Sequence, residues 1–313
     1  MKNVHKLTEG AVFLAIFAVL LMITIYVPVI GAVVNFVLPV PFMMIAAKHA
    51  RKDALLFFVA AVLISFITGT IFAVPVTLLF GLTGLVIGDF LREKKGRLET
   101  YIAGSLAFLL ATLGVYAVSV LVMDINFVEE SILVMKESIA MAKDMMAAMG
   151  QGGDELFEQL DAGVEMIQTL IPTLLIMSSF LTVFFLQLIA FPIIKRFGVE
   201  VSKSKPFREL SFPKSILWYY LLAIIASLLL QPEEGSYWFL ALVNLTYILQ
   251  IFMVIQGFSL IFYFSYKKGL PKAFPIIALV LSLLLPILLY IVRLLGIIDL
   301  GFGLRQRVES RDV

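Results

Sequence analysis

Residues 124–168 read DINFVEESILVMKESIAMAKDMMAAMGQGGDELFEQLDAGVEMIQ, the one long polar interruption in an otherwise lipid-soluble chain. Ten of them are carboxylates (Asp124, Glu129, Glu130, Glu137, Asp144, Asp154, Glu155, Glu158, Asp161, Glu165) against two lysines, so the stretch belongs in water on one side of a membrane. It separates five hydrophobic spans from four.

The chain has 313 residues, 61% hydrophobic and 15% charged, with a mean hydropathy of +1.04, far from the composition of a soluble domain. The expectation is an all-α polytopic membrane protein without an appended soluble domain. A chain with no cysteine has no disulfide, thiolate metal site or Cys nucleophile. The opening MKNVHK resembles the start of a signal peptide, but no small-residue cleavage site follows, so the first span is read as retained.

About 20 apolar residues are needed to cross a hydrocarbon core of about 30 Å. Nine candidate spans follow, at roughly 9–27, 29–47, 54–70, 71–91, 100–123, 169–194, 214–231, 236–266 and 273–296. Nothing alternates with a period of two, and backbone groups in lipid must pair within their own segment, so the spans are helices. Eighteen of the 24 basic residues fall in five places: Lys2 and Lys6; Lys48, Arg51 and Lys52; Arg92, Lys94, Lys95 and Arg97; the six from Lys195 to Lys214; and Lys267, Lys268 and Lys272. With nine spans all five share one side. The positive-inside rule makes that side the cytoplasm, which puts the N-terminus inside and the acidic insert outside. One conflict follows: nine spans leave Arg305, Arg307 and Arg311 outside, so either the count is off by one or the tail is weakly constrained.

Ala11 and Ala15 put two small side chains on one face of the first span, and Gly84 and Gly88 form a GxxxG pair in the fourth; such faces let a second helix approach, within the bundle or from a partner. Asn35, Pro39 and Pro41 interrupt the second span, and a helix broken at membrane depth is tolerated where it lines a cavity or is buried in protein. In the insert, Val128, Ile132, Met135, Ile139, Ala142, Met146 and Met149 form one apolar stripe. Gly150 and the following QGGD end that helix, and a second stripe of Leu156, Leu160, Val164 and Ile167 completes a helical hairpin. The sixth span carries Thr173, Ser178, Ser179, Thr182 and Gln187. The eighth carries Asn244, Thr246, Tyr247, Gln250, Gln256 and Ser259 on all its sides, which places it centrally. Candidate ligand-binding residues are therefore Asn35, Gln187, Asn244, Gln250 and Arg293. Arg293 either snorkels to the interface, binds an anion or pairs with Asp299.

Catalytic equipment is absent. There is no phosphate-loop motif and no HExxH, and His5 and His49 are read as ordinary interfacial residues. Met141, Met145 and Met149, one helical turn apart, fit an adaptable apolar stripe better than a Cu(I) site. No carboxylate lies mid-span, against a proton-coupled carrier. The expectation is no enzymatic activity, no cofactor, no metal and no nucleic-acid partner.

The segments EGAVFLAIFAVL (9–20), YVPVIGAVVNF (26–36) with LPVPF (38–42), KHARKD (48–53) and LGIIDLGFGLRQR (295–307) together resemble the YybS-like family of uncharacterised bacterial membrane proteins, over essentially the whole length. That family is distantly similar, in its first six spans, to the substrate-binding S components of energy-coupling factor transporters. The resemblance implies a six-helix bundle over 1–196, including the hairpin 124–168, with three further helices over 197–313, in a bacterial plasma membrane. It implies that Ala11 and Ala15 dock onto a coupling subunit that works with ATPases. The ligand would be a small solute or lipid-like molecule taken from outside, in a pocket walled near Asn35 and by spans four to six. S components stop after six spans and have a short connection where this chain has its long acidic hairpin. The competing reading is a scaffold or regulator of the cell envelope that recruits another envelope protein through that hairpin. In either case membrane lipids surround the chain.

Overall fold

The computed structural model describes residues 2–69, 71–149 and 154–305, all helix, turn or irregular chain with no strand among them. Among the described residues six helices are long and apolar enough to cross a membrane: Lys6–Tyr26, Arg51–Gly69, Ala73–Arg92, Arg97–Met123, Ile171–Arg196 and Tyr237–Lys267. Two shorter apolar helices cover Ser215–Leu230 and Ala273–Leu284. The turn expected at Gly150–Gly153, the side chain of His5 and the tail arginines Arg307 and Arg311 lie outside the described residues. The chain forms two compact units, 1–153 with 174–204, and 154–173 with 205–313, where the sequence reading divides at 196/197.

The first unit holds α1 (Lys2–Tyr26), α2 (Pro28–Val34), α3 (Val40–Lys48), α4 (Arg51–Gly69), α5 (Ala73–Arg92), α6 (Arg97–Met123), α7 (Phe127–Ala148) and most of α9 (Ile171–Arg196). The short α3 is its centre. Phe42 is fully buried and meets the rings of Phe17 and Phe57 edge-on at 5.0 and 5.2 Å. Two glycines make this possible: a Cβ on Gly84 would sit 2.7 Å from the Pro39 carbonyl oxygen, and one on Gly88 2.5 Å from that of Met43. The expected break in the second span falls at residues 35–39, where no residue continues either helix.

At one end of this unit charges link α1, the turn after α3 and the end of α5. Lys48 and His49 reach Glu9 at 3.2 and 3.1 Å, Lys6 reaches Asp53 at 3.3 Å, and Arg51 bridges Asp89 and Glu93 at 2.7 and 2.6 Å. Solvent screens exposed pairs of this kind, so they orient the helix ends more than they stabilise them.

Helix α7 starts at a polar cap, with Asn126 Oδ1 accepting from the Glu129 amide at 3.2 Å. It buries no residue. Of the expected stripe, Val128, Ile132, Ile139 and Met146 are half-buried while Met135, Ala142 and Met149 are exposed.

The second unit holds α8 (Asp154–Thr169), α10 (Ser215–Leu230), α11 (Tyr237–Lys267), α12 (Ala273–Leu284) and α13 (Pro286–Phe302). Its α8 buries Phe157 and Val164, so the stripe expected through Leu156, Leu160 and Ile167 is displaced: those three are exposed, and the larger phenylalanine takes the inward line seven residues from Val164. The central position expected for the eighth span holds within this unit, where α11 packs against α8, α10, α12, α13 and the 3-10 turn Phe207–Glu209.

The stretch 273–296, read as one span, is two helices. Leu285 is extended (φ −116°, ψ 102°), as the residue before a proline tends to be, and Pro286 opens α13. Side-chain bonds give the direction of α13: Gln250 pairs with Arg293, Gln256 with Asp299 and Ser259 with Arg305, so residue numbers rise together and α11 and α13 run parallel. The intervening α12 is therefore the return stroke. The end of α13 lies beside the loop before α10, where Arg305 donates to the carbonyls of Arg208 and Leu210 at 2.9 and 3.0 Å.

The crossing of α11 over α13 rests on two glycines. A Cβ on Gly257 would overlap the Val292 carbonyl oxygen, and one on Gly296 that of Met253. Gly257→Ala or Gly296→Ala is expected to destabilise the protein by about 1–3 kcal/mol through overpacking of backbone that cannot retreat. Gly163→Ala in α8, where a Cβ meets nothing within 4 Å, should be neutral or stabilise by about 0.5–1 kcal/mol. Thermal unfolding of the detergent-solubilised variants measures both.

Candidate functional site

The five amide and guanidinium residues singled out in the sequence divide by whether the protein itself satisfies them. Asn244 is 7% exposed and uses its whole hydrogen-bonding capacity. Its Oδ1 accepts from the amide and hydroxyl of Thr173 at 3.0 and 2.6 Å, and its Nδ2 donates to the carbonyls of Thr169 and Leu240, both at 2.9 Å. Thr169 ends α8 and Thr173 lies in the first turn of α9, so Asn244 fastens that junction to α11. Gln250 Oε1 accepts from Arg293 Nη1 at 2.7 Å, and the Arg293 guanidinium lies 4.6 Å from the centre of the Tyr290 ring. These three residues hold helices together, and Asn244 has no group left for a ligand.

The alternative pairing of Arg293 with Asp299 does not form. Asp299, 4% exposed, takes Arg305 at 3.0 Å and the Gln256 Nε2 donor at 2.5 Å. Gln256 Oε1 accepts from the Phe212 amide at 3.0 Å, and Ser259 Oγ stands 2.8 and 2.7 Å from the carbonyls of Phe207 and Leu210. Sequence reasoning lists Gln256 and Ser259 only as polar positions. The signal it lacked is Gly303, whose φ of +60° turns the chain so that Arg305 comes back to Asp299.

In the first unit the amides are not satisfied. Asn35 Oδ1 and Gln187 Nε2 are buried with no hydrogen-bond partner, the first at the break between α2 and α3, the second on α9, where Gln187 is 3% exposed. The backbone of the break needs no help from Asn35: Leu38 N donates to the carbonyls of Val34 and Asn35, and Val40 N to that of Val37. The break and α9 meet through Phe36 and Phe185, whose ring centres are 6.3 Å apart. A buried group left without a partner costs about 1–3 kcal/mol, so one acceptor and one donor stand in this unit without a structural reason. Thr246 Oγ1 in the second unit is the third such atom among the described residues.

Of the small-residue faces, Gly84 and Gly88 are occupied inside the unit by α3, whereas Ala11 and Ala15 are exposed on α1. Among the described residues no three His, Asp or Glu side chains are grouped to hold a metal.

A family model described as "Predicted membrane protein (DUF2232)" matches residues 15–300. The chain is also similar to "Uncharacterized protein YybS" of Bacillus subtilis (strain 168), 30% identical over 311 residues, 99% of this chain and 100% of that protein. No solved structure matches. The several long apolar helices and these likenesses agree on a multi-pass membrane protein.

If Asn35 and Gln187 serve a ligand, replacing each by leucine removes an unpaired group and should leave the unliganded protein as stable or raise it by about 1 kcal/mol. Asn244→Leu removes four side-chain hydrogen bonds, two of them to Thr173, and should lower stability by about 2–4 kcal/mol. A drop for Asn35→Leu and Gln187→Leu equal to that of Asn244→Leu would return both amides to a structural role. Thermal unfolding in detergent reads all three.

Proposed function

The chain belongs to the DUF2232, YybS-like family of predicted membrane proteins, and from that premise we propose that it binds a small solute or lipid-like ligand from the outer side of a bacterial plasma membrane. The observation that carries this reading is the pair of unpaired amide atoms, Asn35 Oδ1 and Gln187 Nε2, buried in the first unit. A ligand that reaches both would offer a donor to Asn35 Oδ1 and an acceptor to Gln187 Nε2. The first unit works as an S-component-like bundle without catalytic activity, and energy comes from partner subunits that dock on the exposed Ala11–Ala15 face of α1.

The charges of the second unit, taken alone, support a sidedness for this reading. One end carries Lys205, Arg208, Lys214, Lys267, Lys268, Lys272 and Arg305, and the turn at the other carries Glu233 and Glu234. The basic end is cytoplasmic by the positive-inside rule. Four strokes, α10 to α13, then bring the tail back inside, and the arginines that nine spans left outside obey the rule. With the N-terminus also inside, the chain makes ten passes, α2 and α3 together counting as one.

The second reading, an envelope scaffold, is favoured by α7, which buries nothing and presents Met141, Met145 and Met149 at 69%, 60% and 67% exposure beside its carboxylates. Deleting Glu129–Glu165 separates the two: ligand binding that survives while a partner is lost means a scaffold.

Two measurements test the leading reading. Affinity purification from native membranes is expected to bring down a membrane coupling subunit with ATPases, and Ala11→Leu with Ala15→Leu to reduce that recovery at least tenfold; unchanged recovery counts against docking on this face. Alkaline phosphatase fused after Val313 should be inactive and a fluorescent protein there bright; the reverse would restore the tail to the outside.

A further inference from the structure

At the charged end of the first unit four cations of α1, α3, α4 and α5 are matched by carboxylates: Lys6 by Asp53, Lys48 by Glu9, and Arg51 and Arg92 by Asp89. A cavity of about 500 Å³ between the ends of α5 and α9 breaks that pattern. Lys94, Lys95 and Lys195 line it with Ser202, against the single carboxylate of Glu200. Glu200 pairs with Lys94 at 3.1 Å, with both side chains about four-fifths exposed, while the side-chain amines of Lys95 and Lys195 have no carboxylate or hydrogen-bond partner among the described residues.

Both walls are fixed by the way their helices end. After α5, Lys94 adopts φ +54° and the Lys95 amide donates back to the Phe90 carbonyl at 3.0 Å; after α9, Gly198 adopts φ +82° and the Val199 amide donates to Ile194 at 3.2 Å. The two walls are joined where Ser202 Oγ donates to the Lys95 carbonyl at 3.0 Å. Lysines near helix C-termini are favoured by the helix dipole, which accounts for one cation per helix end. It does not account for three around one walled space. Both helices leave their long apolar runs at this point, so the cavity opens where a bilayer's head groups begin, with Leu91 as an apolar floor.

We propose that this cavity binds an anionic phosphoryl group, held by Lys95, Lys195 and Ser202, with Lys94 turning from Glu200 to complete the cradle. Ammonium groups serve phosphate as point charges and need no fixed fork geometry, and the volume lies within the usual range for a small-ligand site. The group comes either from an anionic phospholipid of the cytoplasmic leaflet or from a soluble phosphate compound.

The test uses the full chain, stripped of lipid in detergent, with two probes: a mixture of phosphatidylcholine and phosphatidylglycerol, scored by native mass spectrometry, and inorganic pyrophosphate, scored by thermal shift. The wild type is expected to retain phosphatidylglycerol over phosphatidylcholine. K94Q/K95Q/K195Q should lower that preference at least tenfold, and K52Q/K268Q/K272Q, which removes the same charge from other basic turns, should keep it. Pyrophosphate stabilising the wild type but not the first triple, without lipid preference, assigns the site to a soluble phosphate compound. Equal losses in the two triples, or no preference and no shift in the wild type, overturn the proposal.

Discussion

Every polar group enclosed by apolar helices must find a partner, because neither lipid nor packed hydrocarbon supplies one. Most of this structure follows from how that demand is met. At the break between α2 and α3 the backbone turns on its own carbonyls, so the chain can abandon the helix without exposing peptide groups. At the junction of α8 and α9 the same demand is met by one side chain, Asn244, which takes two donors and supplies two. Against that background Asn35 and Gln187 stand out because their neighbours have no need of them.

The ion pair of Asp299 with Arg305 meets the demand differently. Burying two charges costs several kcal/mol per ion, and their attraction returns this only with further hydrogen bonds. Those bonds are present: Gln256 donates to Asp299, and Arg305 also donates to Ser259 and to two loop carbonyls. The arrangement is better understood as register than as stability. It permits one alignment of α13 on α11, the one that also brings Gly257 against Val292 and Gly296 against Met253. A slip by one turn would separate the charges and drive side chains into backbone.

Much of the helical plan was legible in the sequence because apolar length and proline position act locally. Six of the nine expected spans are long helices, and Pro39 and Pro41 marked the break that makes α3 short. The reading of 273–296 as one span failed because a proline in a lipid-soluble run either kinks a helix or ends it, and hydropathy does not tell which. Direction was equally hidden: only the pairs joining α11 to α13 reveal that the last helix runs parallel to its neighbour. Polar residues spread around α11 signalled a central helix, but not which of them would be satisfied. Asn244 and Gln187 look alike in sequence, and what separates them is Thr173, a partner 71 residues from Asn244.

The charge pattern ties these features to orientation. Lys and Arg near short loops set topology irrespective of nearby carboxylates, so the ion-paired cations of the first unit count as fully as the unpaired ones. Pairing changes what the cations do after insertion. Lys6, Lys48, Arg51 and Arg92 are held by carboxylates and brace helix ends, whereas Lys95 and Lys195 keep their field for whatever enters the cavity they face. The opposite sign is gathered in α7, α8 and the Glu233–Glu234 turn, where carboxylates outnumber cations. The orientation proposed above is the one that keeps these lysines in the cytoplasm and these carboxylates outside. On that proposal the exposed acidic helix α7 is external, and the lysines of the cavity meet the negatively charged lipids of the inner leaflet.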